Sequence, residues 1–286
     1  MSWLLLSILF NSLLLLILKS FDRFRVQMLP GITVNYIVAG TLGMFFARDS
    51  SVNVIHSEWL PVAGILGTLF ISIFFLIART TVSIGVSVAT VANKMSVVIP
   101  VALAVVMYDE SLGLLKVTGM LIAVAAVYLT SIPSEKKGKA ATNQYLLPLL
   151  VFIGSGIIDA LVNHASKALV PSFEMPAFIG TAFISAFVIG CCIVTVGVIS
   201  GRIRLSYREF LGGLILGVPN YFSIYCITRA LKTGIFESSA LYPVNNMGIV
   251  ILSAVSALLL FREKLSLMNW AGILLSVVAI SFITFS

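Results

Sequence analysis

Charge is what this sequence has least of. Lys, Arg, Asp and Glu make up 10% of its 286 residues, against 59% hydrophobic residues. A soluble domain carries roughly a quarter charged residues, so this chain cannot cover a globular surface with polar groups. Cysteine is scarce, with three. Cys191, Cys192 and Cys226 all fall in apolar blocks and two are adjacent, so neither a disulfide framework nor a zinc site is expected. Nucleotide-driven and hydrolytic signatures are missing: there is no G-x-x-x-x-G-K-S/T, no H-E-x-x-H and no G-x-S-x-G. The net charge of +7 is spread over short loops, which argues against a nucleic-acid surface. The first block, SWLLLSILFNSLLLLILK, has no basic n-region and reads as a first span rather than a cleaved leader.

What the chain does have is apolar blocks of about 20 residues, the length that crosses a bilayer as helix. A β-barrel would instead show short alternating segments. Ten spans are expected, at about 2–18, 29–47, 60–78, 83–107, 113–132, 146–166, 176–199, 210–230, 236–260 and 267–285. The fold class is therefore an all-α integral membrane protein with ten transmembrane helices. One hydrophilic linker, residues 133–145, separates a first five-helix set (1–132) from a second (146–286).

The two sets look like copies of each other. YDESLGLLKVTGMLIAVAAVYL (108–129) aligns with FREKLSLMNWAGILLSVVAISF (261–282), pairing Glu110 with Glu263 and Gly119 with Gly272 at an offset of 263 − 110 = 153. Upstream, Ala78, Thr81, Ser87, Asn93 and Met95 pair with Ala230, Thr233, Ser239, Asn245 and Met247 at an offset of 245 − 93 = 152. SEWL at 57–60 meets REFL at 208–211, and Ser7, Asn11 and Lys19 meet Ser155, Asp159 and Lys167 at an offset of 155 − 7 = 148. Matches in this order, marked by polar residues, exceed the chance likeness of apolar helices. A unit of five spans is odd, so the second copy must enter the membrane from the opposite side. Such inverted repeats are a frequent architecture of secondary transporters, with the solute site near the midplane between the copies.

Ten spans in two such repeats, each closing on an E-x-L segment followed by a small-residue helix (DESLGLLKVTGMLI and REKLSLMNWAGILL), resemble the EamA branch of the drug/metabolite transporter (DMT) superfamily. The resemblance covers the whole chain. It implies a basket of helices that transports a small metabolite across the plasma (cytoplasmic, inner) membrane, with metabolite export among its activities. The family often opens span 1 with a Trp-Gly pair; this chain has Asn11 and Ser12 in LFNSLL instead.

Polar residues fall on helix faces at intervals of three and four. Ser83, Ser87, Thr90 and Lys94 share a face of span 4, Ser239, Tyr242 and Asn246 a face of span 9, and Ser155, Asp159, Asn163 and Lys167 a face of span 6. The serines fit helix packing, where small hydroxyl side chains are common. Lys94, Asp159 and Asn163 point to a cavity or a partner, because a charged residue at a helix centre costs about 2.5–3.5 kcal/mol on insertion scales. The expected solute-binding residues are Lys94, Asn93, Asp159, Asn163, Tyr242, Asn245, Asn246 and Asn11. Lys94 would hold an anionic group, Asp159 an amine or a proton, and an ion pair between them is the alternative. Asp159, His164 and Glu237 are the proton-coupling candidates, His164 because its ordinary pKa of about 6.5 suits the task. Glu110 and Glu263 read as acids at helix starts, and Lys19 as a snorkelling span-end cation.

These features favour a secondary transporter of a small polar or amphoteric metabolite, an amino-acid-like solute above all. A sugar-phosphate or nucleotide-sugar carrier is the alternative within the class, and a non-transporting sensor or scaffold the alternative outside it. No catalytic residue, metal or cofactor is expected. The partners are the solute, membrane lipid and a proton as candidate coupling ion, with the chain acting as monomer or homodimer. Loop charges favour both termini outside by the positive-inside rule, whereas the resemblance implies both inside.

Overall fold

The computed structural model describes residues 2–47, 53–108, 113–132, 141–171, 173–232 and 238–284. Among these residues there is no strand. The helices are α1 (Ser2–Arg23), α2 (Met28–Ala47), α3 (Leu60–Ser83), α4 (Val86–Met95), α5 (Val98–Tyr108), α6 (Leu114–Ser131), α7 (Ala141–Ala168), α8 (Met175–Ile199), α9 (Tyr207–Lys232), α10 (Ser238–Phe261) and α11 (Leu267–Thr284), with a turn of 3-10 helix at Val54–His56. Among the described residues ten stretches are long and apolar enough to cross a membrane, α4 and α5 together supplying one of them, Val86–Leu103. The chain is a multi-pass helical membrane protein. Of the expected linker, residues 133–140 lie outside the described residues, and α7 already begins at Ala141.

Span 4 is not the continuous helix expected over 83–107. It breaks at Ser96–Val97, between α4 and α5. Pro100 accounts for the break: it has no N–H to reach the Ser96 carbonyl, and its ring crowds that oxygen. The Ser96 carbonyl takes the Ile99 N–H instead, at 2.9 Å, and the Ser96 hydroxyl donates back to the Asn93 carbonyl. Helices α7 and α9, by contrast, run through Pro148 and Pro219.

By mutual contact the helices gather into two units, each drawing on both halves of the sequence. The first comprises Met1–Lys19, Leu76–Ile157 and Phe222–Ser286; the second comprises Ser20–Phe75 and Ile158–Tyr221.

In the first unit α6 packs against α11. A β-carbon on Gly119 would lie 2.9 Å from Phe282 Cβ, and one on Gly272 would lie 2.8 Å from the Thr130 nitrogen. The start of each helix thus meets the end of the other, so the pair is antiparallel, and glycine lets the backbones approach. Asn269, at the start of α11, fastens the pair. Its Nδ2 donates to the carbonyls of Thr130 (2.8 Å) and Ile132 (2.9 Å) at the end of α6, and its Oδ1 accepts from the Ser266 N–H (2.9 Å). Asn269→Ala leaves carbonyls without their donor in a buried place, which costs about 1–3 kcal/mol. A lowered thermal midpoint in detergent is the expected result, and Asn269→Asp should fall with it because it too lacks the N–H donors.

In the second unit α2 packs against α8, also antiparallel: β-carbons on Gly40, Gly43 and Gly190 would lie 2.9 Å from Ile184, 3.0 Å from Gly180 and 2.6 Å from Thr33. Helix α9 runs beside α2 in the same direction, with Gly213 against Val34 and Gly217 against Val38. The amides of Asn220 and Asn35 bond across this contact at 3.0 Å. At one end of the unit the buried Trp59 donates its indole N–H to Glu174 at 2.6 Å and packs edge-on against Phe178. Glu209, also buried, accepts from the N–H groups of Ser206 (2.8 Å) and Gln27 (3.2 Å), holding the starts of α9 and α2 together.

Candidate functional site

Helix α4 carries the residues singled out first. It is buried from Val86 to Ala92 and at Met95, leaving Asn93 and Lys94 half-buried. Thr90 donates its hydroxyl to the Val86 carbonyl at 2.8 Å, so its polar group is spent inside its own helix, as packing serines and threonines do. Ser87 Oγ has no hydrogen-bond partner among the described residues. Lys94 lies in the last turn of α4, just before the break. A helix C-terminus attracts a cation by about 0.3–1 kcal/mol, so the break itself offsets part of the cost of keeping a lysine at this depth. A continuous span would offer no such end.

Helix α10 packs against α4 in the same unit. It carries Asn245, buried with its Oδ1 unpartnered among the described residues, and Asn246, half-buried. Tyr242 belongs to α10, but its side chain lies outside the described residues, as does the whole of Glu237. Asn11 on α1 is half-buried and donates to the Ser7 carbonyl of its own helix at 3.2 Å; the Ser7 hydroxyl ties α1 to α9 through the Ser223 carbonyl at 3.1 Å. Ser155 on α7 is buried with an unpartnered Oγ among the described residues. The first unit therefore holds Asn11, Asn93, Lys94, Tyr242, Asn245 and Asn246.

The second unit holds Asp159, Asn163 and His164, on the later part of α7. Asp159 and His164 are exposed and Asn163 is half-buried.

Two polar arrangements escaped the reading of the sequence. Asn35 was overlooked as a lone amide in an apolar span, yet it is fully buried, bonded to Asn220, and its own Nδ2 has no partner among the described residues. Lys19 was expected to snorkel. Instead its ammonium donates to the carbonyls of Thr81 (3.0 Å) and Val82 (3.2 Å) and lies 3.6 Å from Glu263. Glu263 does serve a helix N-terminus, that of α4, where it accepts the Val86 N–H at 2.8 Å. No metal-holding cluster of His, Cys, Asp or Glu occurs among the described residues.

No family model matches the chain. A Haemophilus influenzae protein described as uncharacterized is 27% identical over 273 residues, covering 92% of this chain and 91% of that one. A solved crystal structure is similar over 98% of this chain and 96% of its own, with a TM-score of 0.59 at 16% identity. That likeness is one of fold over the full length.

Proposed function

We propose that this protein is a secondary transporter of a small amphoteric metabolite, built as two inverted five-helix repeats of the EamA, drug/metabolite transporter kind and working by alternating access in the plasma membrane. The observation that carries the reading is the pairing of repeat-equivalent helices. The second spans of the two halves, α2 and α8, pack antiparallel in one unit, and the fifth spans, α6 and α11, pack antiparallel in the other. Opposite insertion of the two copies requires that direction. Heterologous contacts recur in the same way: α9 places Gly213 and Gly217 on α2, while α3 places Gly67 on Ser185 of α8. In the first unit Gly248 of α10 meets Ile8 of α1, and Gly156, the sequence mate of Ile8, meets Ile99 of α5. A single-purpose scaffold has no need of such twofold construction, whereas a carrier that opens to either side does.

Lys94, just before the break that ends α4, would take the carboxylate of the solute, and Asn93, Asn245 and Asn246 would hydrogen-bond the rest. Asn11, in the same unit, remains a candidate for the amine, with Tyr242 and Glu237 as further lining and coupling candidates; in the second unit Asp159 and Asn163 remain candidates for solute binding, and Asp159 or His164 for carrying a coupled proton. A panel of amino acids, amines and sugar phosphates, screened by thermal stabilisation and then by uptake into proteoliposomes, tests this. Saturable flux of amphoteric solutes is expected, with acceleration by an imposed pH gradient if a proton is coupled. Preference for sugar phosphates would favour the carrier alternative. A folded protein that moves none of the panel would favour a sensor or scaffold.

A further inference from the structure

Helix α4 has ten residues, a rod of about 15 Å. Its start is held by one carboxylate. Glu263 Oε1 accepts the Val86 N–H at 2.8 Å and lies 3.6 Å from the Lys19 ammonium, which also donates to the last carbonyls of α3. Both side chains of the ion pair are largely buried. Two backbone features let the carboxylate reach this place. Arg262, in the left-handed region with φ of 51°, turns the chain at the end of α10, and the Glu263 N–H returns to the Ala257 carbonyl at 3.3 Å. Gly85 has φ of +154°, and a β-carbon there would crowd Glu263 Oε2 at 3.0 Å. The far end of α4 carries Lys94 and then stops at the break, so α5 does not constrain it as a continuing helix would.

We propose that Glu263 is a positioning residue for Lys94, acting through α4 as a lever fixed at its start. The proposal rests on the reading of Lys94 as a solute contact. A shift at Val86 is carried along an intact hydrogen-bonded rod to residue 94, and the break keeps α5 from resisting it. Lys19 keeps the carboxylate aimed, and joins the end of α3 to the same anchor.

The test uses the full chain with Cys191, Cys192 and Cys226 replaced by alanine and Lys94→Cys as reporter, reacted with N-ethylmaleimide in detergent. Glu263→Ala should change the labelling rate at position 94 by about fivefold or more, the scale of losing a helix-terminal partner. Glu263→Gln, whose amide oxygen still accepts from Val86, should stay within about twofold. Thr118→Cys, exposed on α6, reports general loosening and should label equally in all backgrounds. An unchanged rate at position 94 in Glu263→Ala overturns the proposal, as does a parallel change at Thr118→Cys or a reporter at 94 that reacts in no background. In the chain that keeps Lys94, Glu263→Ala should raise KM with little change in maximal rate. If labelling shifts as expected but no solute is moved by any variant, the lever stands and the transport reading fails.

Discussion

Lys94→Met is expected to lower uptake of an amphoteric solute by about tenfold to a hundredfold, the cost of losing a charge-assisted hydrogen bond at roughly 1.5–3 kcal/mol. The thermal midpoint in detergent should change little. A lysine at a helix centre carries an insertion cost of about 2.5–3.5 kcal/mol; the end of α4 returns about 0.3–1 kcal/mol of it, and the interactions Lys94 makes within the protein return a further part. Removing the charge forfeits the cost and those interactions together, while the solute loses its partner outright. Lys94→Arg keeps the charge on a broader head and should fall between methionine and the natural residue in uptake. The sharper measurement compares an amino acid with the amine that lacks its carboxylate: wild type should favour the amino acid, and Lys94→Met should not distinguish them. A variant that loses both solutes equally, with a midpoint lowered by roughly 10 °C, would make Lys94 a structural residue.

How far these properties were visible in the sequence depends on the range of the interactions that set them. The spans were visible because length and apolarity act locally, and α6, α8 and α11 begin and end within a few residues of expectation. The glycines matched between the two halves of the sequence, Gly119 and Gly272, turned out to be contact points of their helices. The break in span 4 was not foreseen. Pro148 and Pro219 sit inside helices that continue, and what decides between a break and a tolerated proline is whether neighbouring groups can bond the freed carbonyl. The run of residues around each proline does not supply that answer. The same is true of Lys19 with Glu263 and of Asn35 with Asn220, partners joined only by the fold. Lys94 was legible as an expense, but its compensation by a helix end required the break to be seen first.

Gly272→Leu should be the most damaging single change in the first unit, lowering stability by about 3 kcal/mol or more, or roughly 10 °C in thermal midpoint. A β-carbon at Gly272 would lie 2.7 Å from Thr130 Cγ2, 2.8 Å from the Thr130 nitrogen and 2.9 Å from the Ala126 carbonyl oxygen. A side-chain methyl can turn away; two backbone atoms cannot, so α6 and α11 must separate. Asn269 lies one turn before Gly272 on α11, and its bonds to the Thr130 and Ile132 carbonyls at 2.8 and 2.9 Å tolerate little separation. Steric and hydrogen-bond losses therefore come together, which is why the effect should exceed that of Asn269→Ala. Leu274 on the same helix is 64% exposed, and Leu274→Ala should change stability by no more than about 0.5 kcal/mol. Gly119→Ala and Gly272→Ala combined should cost less than their sum, because the spacing opened by the first accommodates the second. Full additivity would mean that the two ends of the pair yield independently and that α6 and α11 do not move as a rigid couple.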